Sequence, residues 1–170
     1  DDPAGQFLYP EFELARRLFA GNGIEAVIVD AACLRYIDGK LWHENKEIDL
    51  VYNRLVDFAL DRPEHAALRA AYLDDAVVVT PNPRVHALYA DKRNLIRLAD
   101  SAWLASIGVS AEDRAVLAAT VPAAERVRPE NGEALWAKRK SLFFKPVSGY
   151  GGKAVYRGMN VTRGVFADIL

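Results

Sequence analysis

The chain is short of the residues that mark most specialised chemistries. Its 170 residues hold one cysteine, one methionine and three histidines. A lone Cys33 excludes an internal disulfide and with it the disulfide-framed secreted scaffolds; a reducing, cytoplasmic location is the expectation. His43 opens a His-Glu-Asn-Lys-Glu stretch, but no second histidine stands at the spacing of a zinc helix, and His65 and His86 are remote in sequence. A metal centre of that kind is excluded. Neither sign of charge dominates, since 22 Lys and Arg stand against 23 Asp and Glu, so composition offers no argument for a nucleic-acid partner. No apolar run approaches the length of a membrane span, and the opening Asp1-Asp2-Pro3 is unlike a signal peptide, so no membrane partner is expected. What remains is a composition of the soluble globular class, 51% hydrophobic and 26% charged, long enough for one well-buried domain and part of another.

The chain order reads as α/β. Asp2-Pro3-Ala4-Gly5 has the look of a loop that follows a strand, so a chain missing its first β-strand is expected. Pro10 suits the first turn of a helix carrying Phe12, Ala15, Leu18 and Phe19, which Gly21-Asn22-Gly23 ends. Residues 24–29 are a continuous apolar run of the kind parallel sheets bury, with Asp30 at its end as a helix cap or, in the alternative, a ligand contact. Asp38-Gly39 between two alternating segments signals a hairpin. Strands over 49–55 and 76–80 flank a helix opened by Pro63, and Arg54 reads as a solvated edge arginine or a ligand contact. Strand, helix, strand, helix, strand implies a three-layer parallel sheet.

After Pro83 the apolar residues Val85, Leu88, Tyr89, Leu95, Ile96 and Ala99 predict one helix with a single stripe, in which Lys92 occupies an apolar position. A lysine there either snorkels from a packed face or is present for its charge. Further helices are expected over 101–107, over 110–119 with Ser110 as cap, over 133–138 with Trp136 turned inward, and after Thr162. A brief strand is expected over 125–128.

The most informative stretch is Ser-Leu-Phe-Phe-Lys-Pro-Val-Ser-Gly-Tyr-Gly-Gly-Lys-Ala-Val-Tyr-Arg-Gly, residues 141–158. Apolar and aromatic runs over 142–144 and 154–156 predict two strands around a loop of Ser148, Gly149, Tyr150, Gly151 and Gly152. Such a loop lets backbone N–H groups converge on an anion, while Lys145 and Lys153 supply positive charge. A polyphosphate is the natural guest. A Walker A loop fails at Val147 and Ala154, which stand where glycine and Ser/Thr are required. A dinucleotide fingerprint matches Gly149, Gly151 and Ala154, but it must open a helix, and Val155-Tyr156-Arg157 is strand-like. An ordinary glycine-rich hairpin turn stays open beside the reading that fits best, a flap folding over ATP.

This stretch resembles the small-lobe loop of ATP-grasp ligases such as D-alanine:D-alanine ligase, glutathione synthetase and the glutathionylspermidine synthase-like group. Asp91-Lys92 ahead of a helix resembles a second segment of that family, whose lysine contacts ATP phosphate. The resemblance implies a Rossmann-like pre-ATP-grasp domain over 1–83 and an incomplete small lobe over 84–170. It implies that Lys145 touches the α-phosphate and adenine side, that Lys92 meets phosphate, and that the loop from Ser148 to Gly152 covers the β- and γ-phosphates. It further implies ATP and Mg²⁺ as cofactors and a small-molecule carboxylate and an amine as substrates, joined through an acyl phosphate. The family's Mg²⁺ ligands match nothing here and are expected beyond Leu170, so the 170-residue chain alone is expected to be inactive. Which carboxylate and amine, and whether the chain forms a homodimer, stay open. The alternative is a non-catalytic α/β module that binds a nucleotide or another anion.

Overall fold

Proline placement and glycine punctuation set the first helix. In the computed structural model, which describes residues 1–170, α1 runs Tyr9–Gly21 with Pro10 in its first turn, where a missing N–H leaves no bond unmade. It stops because Gly23 takes a φ of 75°, while the N–H groups of Asn22 and Ile24 turn back to the Phe19 carbonyl. The chain is mixed α/β with small sheets, and it divides into two units, Asp1–His86 and Ala87–Leu170. No helix is long and apolar enough to cross a membrane.

In the first unit, β1 (Leu34–Ile37) and β2 (Lys40–His43) form the hairpin that Asp38-Gly39 predicts. Both turn residues take positive φ, 50° and 74°, the conformation that matches the twist of two antiparallel strands. A short β3 (Lys46–Glu47) extends this sheet to three strands. Separately, β4 (Leu50–Tyr52) pairs in parallel with β5 (Val78–Thr80), Val51 opposite Val79, and α2 (Ala66–Leu73) lies in the crossover between them. Leu41, Leu60, Leu68, Ala71, Val77 and Val79 make one core where α2 meets β1 and β2. Each fully buried leucine there contributes roughly 1.5–3 kcal/mol.

Several expectations are overturned. Residues 24–29 belong to no sheet, and Ile24 and Val27 are exposed, because an apolar run supplies side chains for a buried face but not the neighbouring strand that a ladder needs. The three-stranded parallel sheet therefore reduces to the β4–β5 pair. The strand expected over 49–55 ends at Tyr52, where the Asn53 side chain accepts the Leu55 N–H and makes a turn. Leu18 is exposed on α1, and residues 125–128 form no strand. Asp30 caps the turn at Ala31–Cys33 by accepting the Ala32 N–H, and Arg54 pairs with Glu11 at 2.8 Å.

The chain crosses from one unit to the other within α3 (Pro83–Tyr89). The second unit then holds α4 (Asn94–Leu98), α5 (Ser101–Ser106) and α6 (Ala111–Thr120), whose Ser110 cap accepts the Asp113 N–H. It ends with α7 (Gly132–Lys138), the strands β6 (Phe143–Phe144) and β7 (Tyr156–Arg157), and α8 (Arg163–Ile169). Leu135, Phe144, Val161 and Phe166 form its core. The Phe166 ring meets Phe144 edge-on and lies 5.3 Å from Trp136.

Candidate anion site of the second unit

The glycine loop hangs from a hairpin anchored in this core. β6 and β7 are antiparallel, with Phe143 opposite Arg157 and Phe144 opposite Tyr156. Phe144 is buried, whereas Phe143 on the other face is exposed, as strand alternation requires. The hairpin closes through Gly158, whose N–H donates to the Leu142 carbonyl at 2.8 Å and where an added Cβ would fall 2.0 Å from the Arg139 carbonyl.

Between the strands the backbone repeatedly enters left-handed space. Gly149, Gly151 and Gly152 have φ of 115°, 64° and 72°, and Ala154 follows at 54°. Nothing crowds Gly151 or Gly152, so glycine is required there by the dihedral angles and not by a close neighbour. The loop closes on itself through Lys153 N–H to the Tyr150 carbonyl and Val155 N–H to the Gly152 carbonyl. The N–H groups of Ser148, Gly149, Gly151 and Gly152 donate to no other group of the chain. Free donors on an exposed, glycine-shaped loop are the structural condition for an anion cradle.

Lys92 meets this loop from the turn between α3 and α4. Its backbone N–H donates to the Val147 carbonyl at 3.1 Å, and its ammonium donates to the Gly149 carbonyl, also at 3.1 Å. The single striped helix expected over 83–99 does not form. Asp91 accepts the Arg93 N–H at 2.8 Å, and the Asn94 amide donates to the Leu88 carbonyl at 2.8 Å, so two side chains take over backbone groups that a continuous helix would use. Lys92 is thus a half-buried turn residue, not a member of an apolar stripe. Asp91 is tied to Arg93 by both carboxylate oxygens, and the guanidinium beside it holds its carboxyl below the usual range.

The segment that carries the loop has charge of one sign. Between Glu133 and Asp168 there is no acidic residue, while Lys138, Arg139, Lys140, Lys145, Lys153, Arg157 and Arg163 are basic. Lys138 pairs with Glu125, Arg163 with Glu133, and Arg139 stacks 3.8 Å from the centre of the Trp136 ring. Lys153 lies 5.1 Å from the centre of the Tyr150 ring, an interaction that leaves its charge uncancelled. Lys145, one residue beyond β6, is exposed, and it is not brought into bonded contact with Lys92. Arg157 was not singled out from the sequence, yet it stands opposite the exposed Phe143; the acid-free stretch is the signal that could have found it.

These groups fit a phosphate: unused N–H donors flanked by Lys145 and Lys153, which form no ion pair. They do not fit a divalent cation, because the chain holds no group of three His, Cys, Asp or Glu side chains arranged to hold one. Compared with known proteins, the chain matches no family model, no curated protein and no solved structure.

Proposed function

We propose that the second unit binds the phosphates of ATP, as the small lobe of an ATP-dependent carboxylate–amine ligase of ATP-grasp type, with residues 1–83 as its Rossmann-like pre-ATP-grasp part. The observation that carries this reading is the meeting of Lys92 with the glycine loop, two stretches singled out separately in the sequence and joined at Gly149. In this reading the N–H groups of Ser148, Gly149, Gly151 and Gly152 hold phosphate oxygens, Lys145 and Lys153 neutralise them, and Lys92 leaves the Gly149 carbonyl for the incoming anion. Each charge-assisted contact contributes about 1.5–3 kcal/mol. Bound ATP would supply the phosphoryl group that activates a carboxylate; the residues here bind and orient it. The chain holds no set of ligands for Mg²⁺, and no step is assigned to that ion.

A second reading is favoured by one detail. The Lys92 ammonium already has a partner in the Gly149 carbonyl, which suits a non-catalytic anion-binding module whose loop is held by that lysine.

Calorimetry of the chain with a non-hydrolysable ATP analogue and with pyrophosphate separates the two. The ligase reading expects weak binding of the analogue, tighter than that of pyrophosphate, and at least about tenfold weaker binding in Lys92→Met. Equal affinity for both ligands favours the module. Binding of neither sinks both readings.

A further inference from the structure

The first unit carries a strand without a sheet. From Ile24 to Asp30 the chain runs with no helix, turn or bend, between the end of α1 and the turn Ala31–Cys33. No residue other than glycine in or beside it has a positive φ, and Asp30 is extended at φ −71° and ψ 133°. Ile24, Val27, Ile28 and Val29 are β-branched, the shape that suits a pleated surface. Yet from Glu25 to Val29 no backbone N–H donates and no backbone carbonyl accepts within the chain. Such a row of unused donors and acceptors is a template for another strand, and extended backbone is what matches its spacing.

The stretch is also prepared for a neighbour. Ala26 and Ile28 are half-buried, while Glu25 and Val27 are exposed, Val27 at 44%, so one face is already seated on the unit. The residues by which natural edges refuse a partner are missing, since residues 25–29 contain no lysine and no proline. The single charge among them, on Glu25, is paired with Lys46 of β3. The helix that leads into the stretch adds apolar surface, because Leu14 and Leu18, one turn apart on α1, are each 66% exposed.

We infer that a second copy of this chain supplies the neighbour, in a two-fold dimer whose Ile24–Asp30 stretches pair antiparallel with Val27 opposite Val27. A two-fold contact requires a surface that complements itself. This stretch does so. With Val27 at the centre all seven residues pair, Ala26 opposite Ile28, Glu25 opposite Val29 and Ile24 opposite Asp30, so no carboxylate faces another. A slip of one residue towards Asp30 sets Glu25 opposite Asp30 and turns the half-buried sides of the two copies to opposite faces. The interface uses no residue of the candidate anion site, so it stands or falls apart from nucleotide binding.

The test is sedimentation of the whole chain across about a hundredfold range of concentration. The expected result is a dimer whose share rises with concentration. Val27→Lys changes an exposed side chain and sets two ammonium groups opposite each other, so it should stay monomeric throughout with an unchanged circular dichroism spectrum. Val27→Glu should do the same, and an equimolar mixture of the two variants should recover the dimer. In hydrogen exchange, alternate amides among residues 25–29 should be at least about tenfold better protected in the parent dimer than in the Val27→Lys monomer. A parent chain that is monomeric at the highest concentration overturns the inference. So does a Val27→Lys chain that dimerises as the parent does, or a mixture that stays monomeric. Equal protection in the parent and in Val27→Lys also overturns it, because the ladder partner would then lie within the chain.

Discussion

The ammonium of Lys92 donates to the carbonyl oxygen of Gly149 across 57 residues of sequence, at 3.1 Å, while the Lys92 backbone N–H holds the Val147 carbonyl two residues earlier in the same loop. One residue therefore pins the glycine loop twice, and only the side-chain half of that link can be removed by substitution. Lys92→Met keeps the stem and deletes the charge. It should lower stability by about 1 kcal/mol, the net value of one partly exposed hydrogen bond, read as a lower urea midpoint. Affinity for a non-hydrolysable ATP analogue should fall about tenfold to a hundredfold. Unchanged affinity in a chain that has lost the expected stability would leave Lys92 as a structural pin and nothing more.

The neighbouring arginine is not a silent control. Arg93 closes on Asp91 through its backbone N–H and its guanidinium, and this closure is what breaks α3 from α4 and places Lys92 at the loop. Arg93→Met should lower the melting temperature and loosen residues 90–94 in hydrogen exchange. Lys140→Met, at an exposed lysine in no ion pair, should leave stability as it is. If Arg93→Met were as silent as Lys140→Met, the turn would owe nothing to the Asp91–Arg93 pair.

The dihedral angles of the loop make a prediction of opposite signs. Ala154 holds a φ of 54°, where a side chain costs roughly 1–2 kcal/mol, so Ala154→Gly relieves strain and, after the extra chain entropy of glycine, should gain up to about 1 kcal/mol. Gly151→Ala and Gly152→Ala should each lose about 1 kcal/mol through the same angle, with no clash, because their surroundings are open. Gly158→Ala should lose more than either, since its Cβ would fall 2.0 Å from a backbone oxygen that has no room to retreat. Urea melts of the four variants give the order directly, and a stabilised Gly151→Ala would contradict the left-handed geometry.

Local chemistry was legible in the sequence, and longer-range pairing was not. Asp38-Gly39 specifies its turn within two residues, and Ser110 caps α6 with an N–H three residues away, so both follow from composition at short range. Residues 24–29 carry the side chains of a buried strand, but whether a neighbour supplies ladder bonds is decided elsewhere in the chain. The stripe from Val85 to Ala99 is compatible with a helix at every apolar position. It fails at Asp91 and Asn94, polar residues whose side chains compete for the backbone and to which periodicity is blind. At the candidate site, the glycine loop and Lys92 were each marked by residue type, and their contact could be expected only through the family resemblance. The charge segregation around them was hidden by a net charge of −1 for the whole chain.

The carboxylates of the first unit predict how the chain responds to acid. Burial pushes the Asp57 carboxyl up, but the Arg62 N–H, the His65 ring and the Asp61 N–H outweigh it and hold the group below the usual range. Asp30 is likewise lowered, by the N–H groups of Ala32 and then Asp2. With the folded value below the unfolded one of about 3.9, the unfolded chain binds more protons in the interval between them. The contribution of these two groups is therefore complete above about pH 4 and is lost as the pH falls through their lowered folded values. Asp57→Asn should lower stability at pH 7 by about 1.5–3 kcal/mol, the value of hydrogen bonds to a charged group. It should also lose less than the parent chain on going from about pH 5 to about pH 2.5, because one of the protonation events that drives acid unfolding has been removed. Urea melts of both chains across that range measure the difference in slope. Parallel curves would mean that the Asp57 carboxylate is no better held in the folded chain than in the unfolded one.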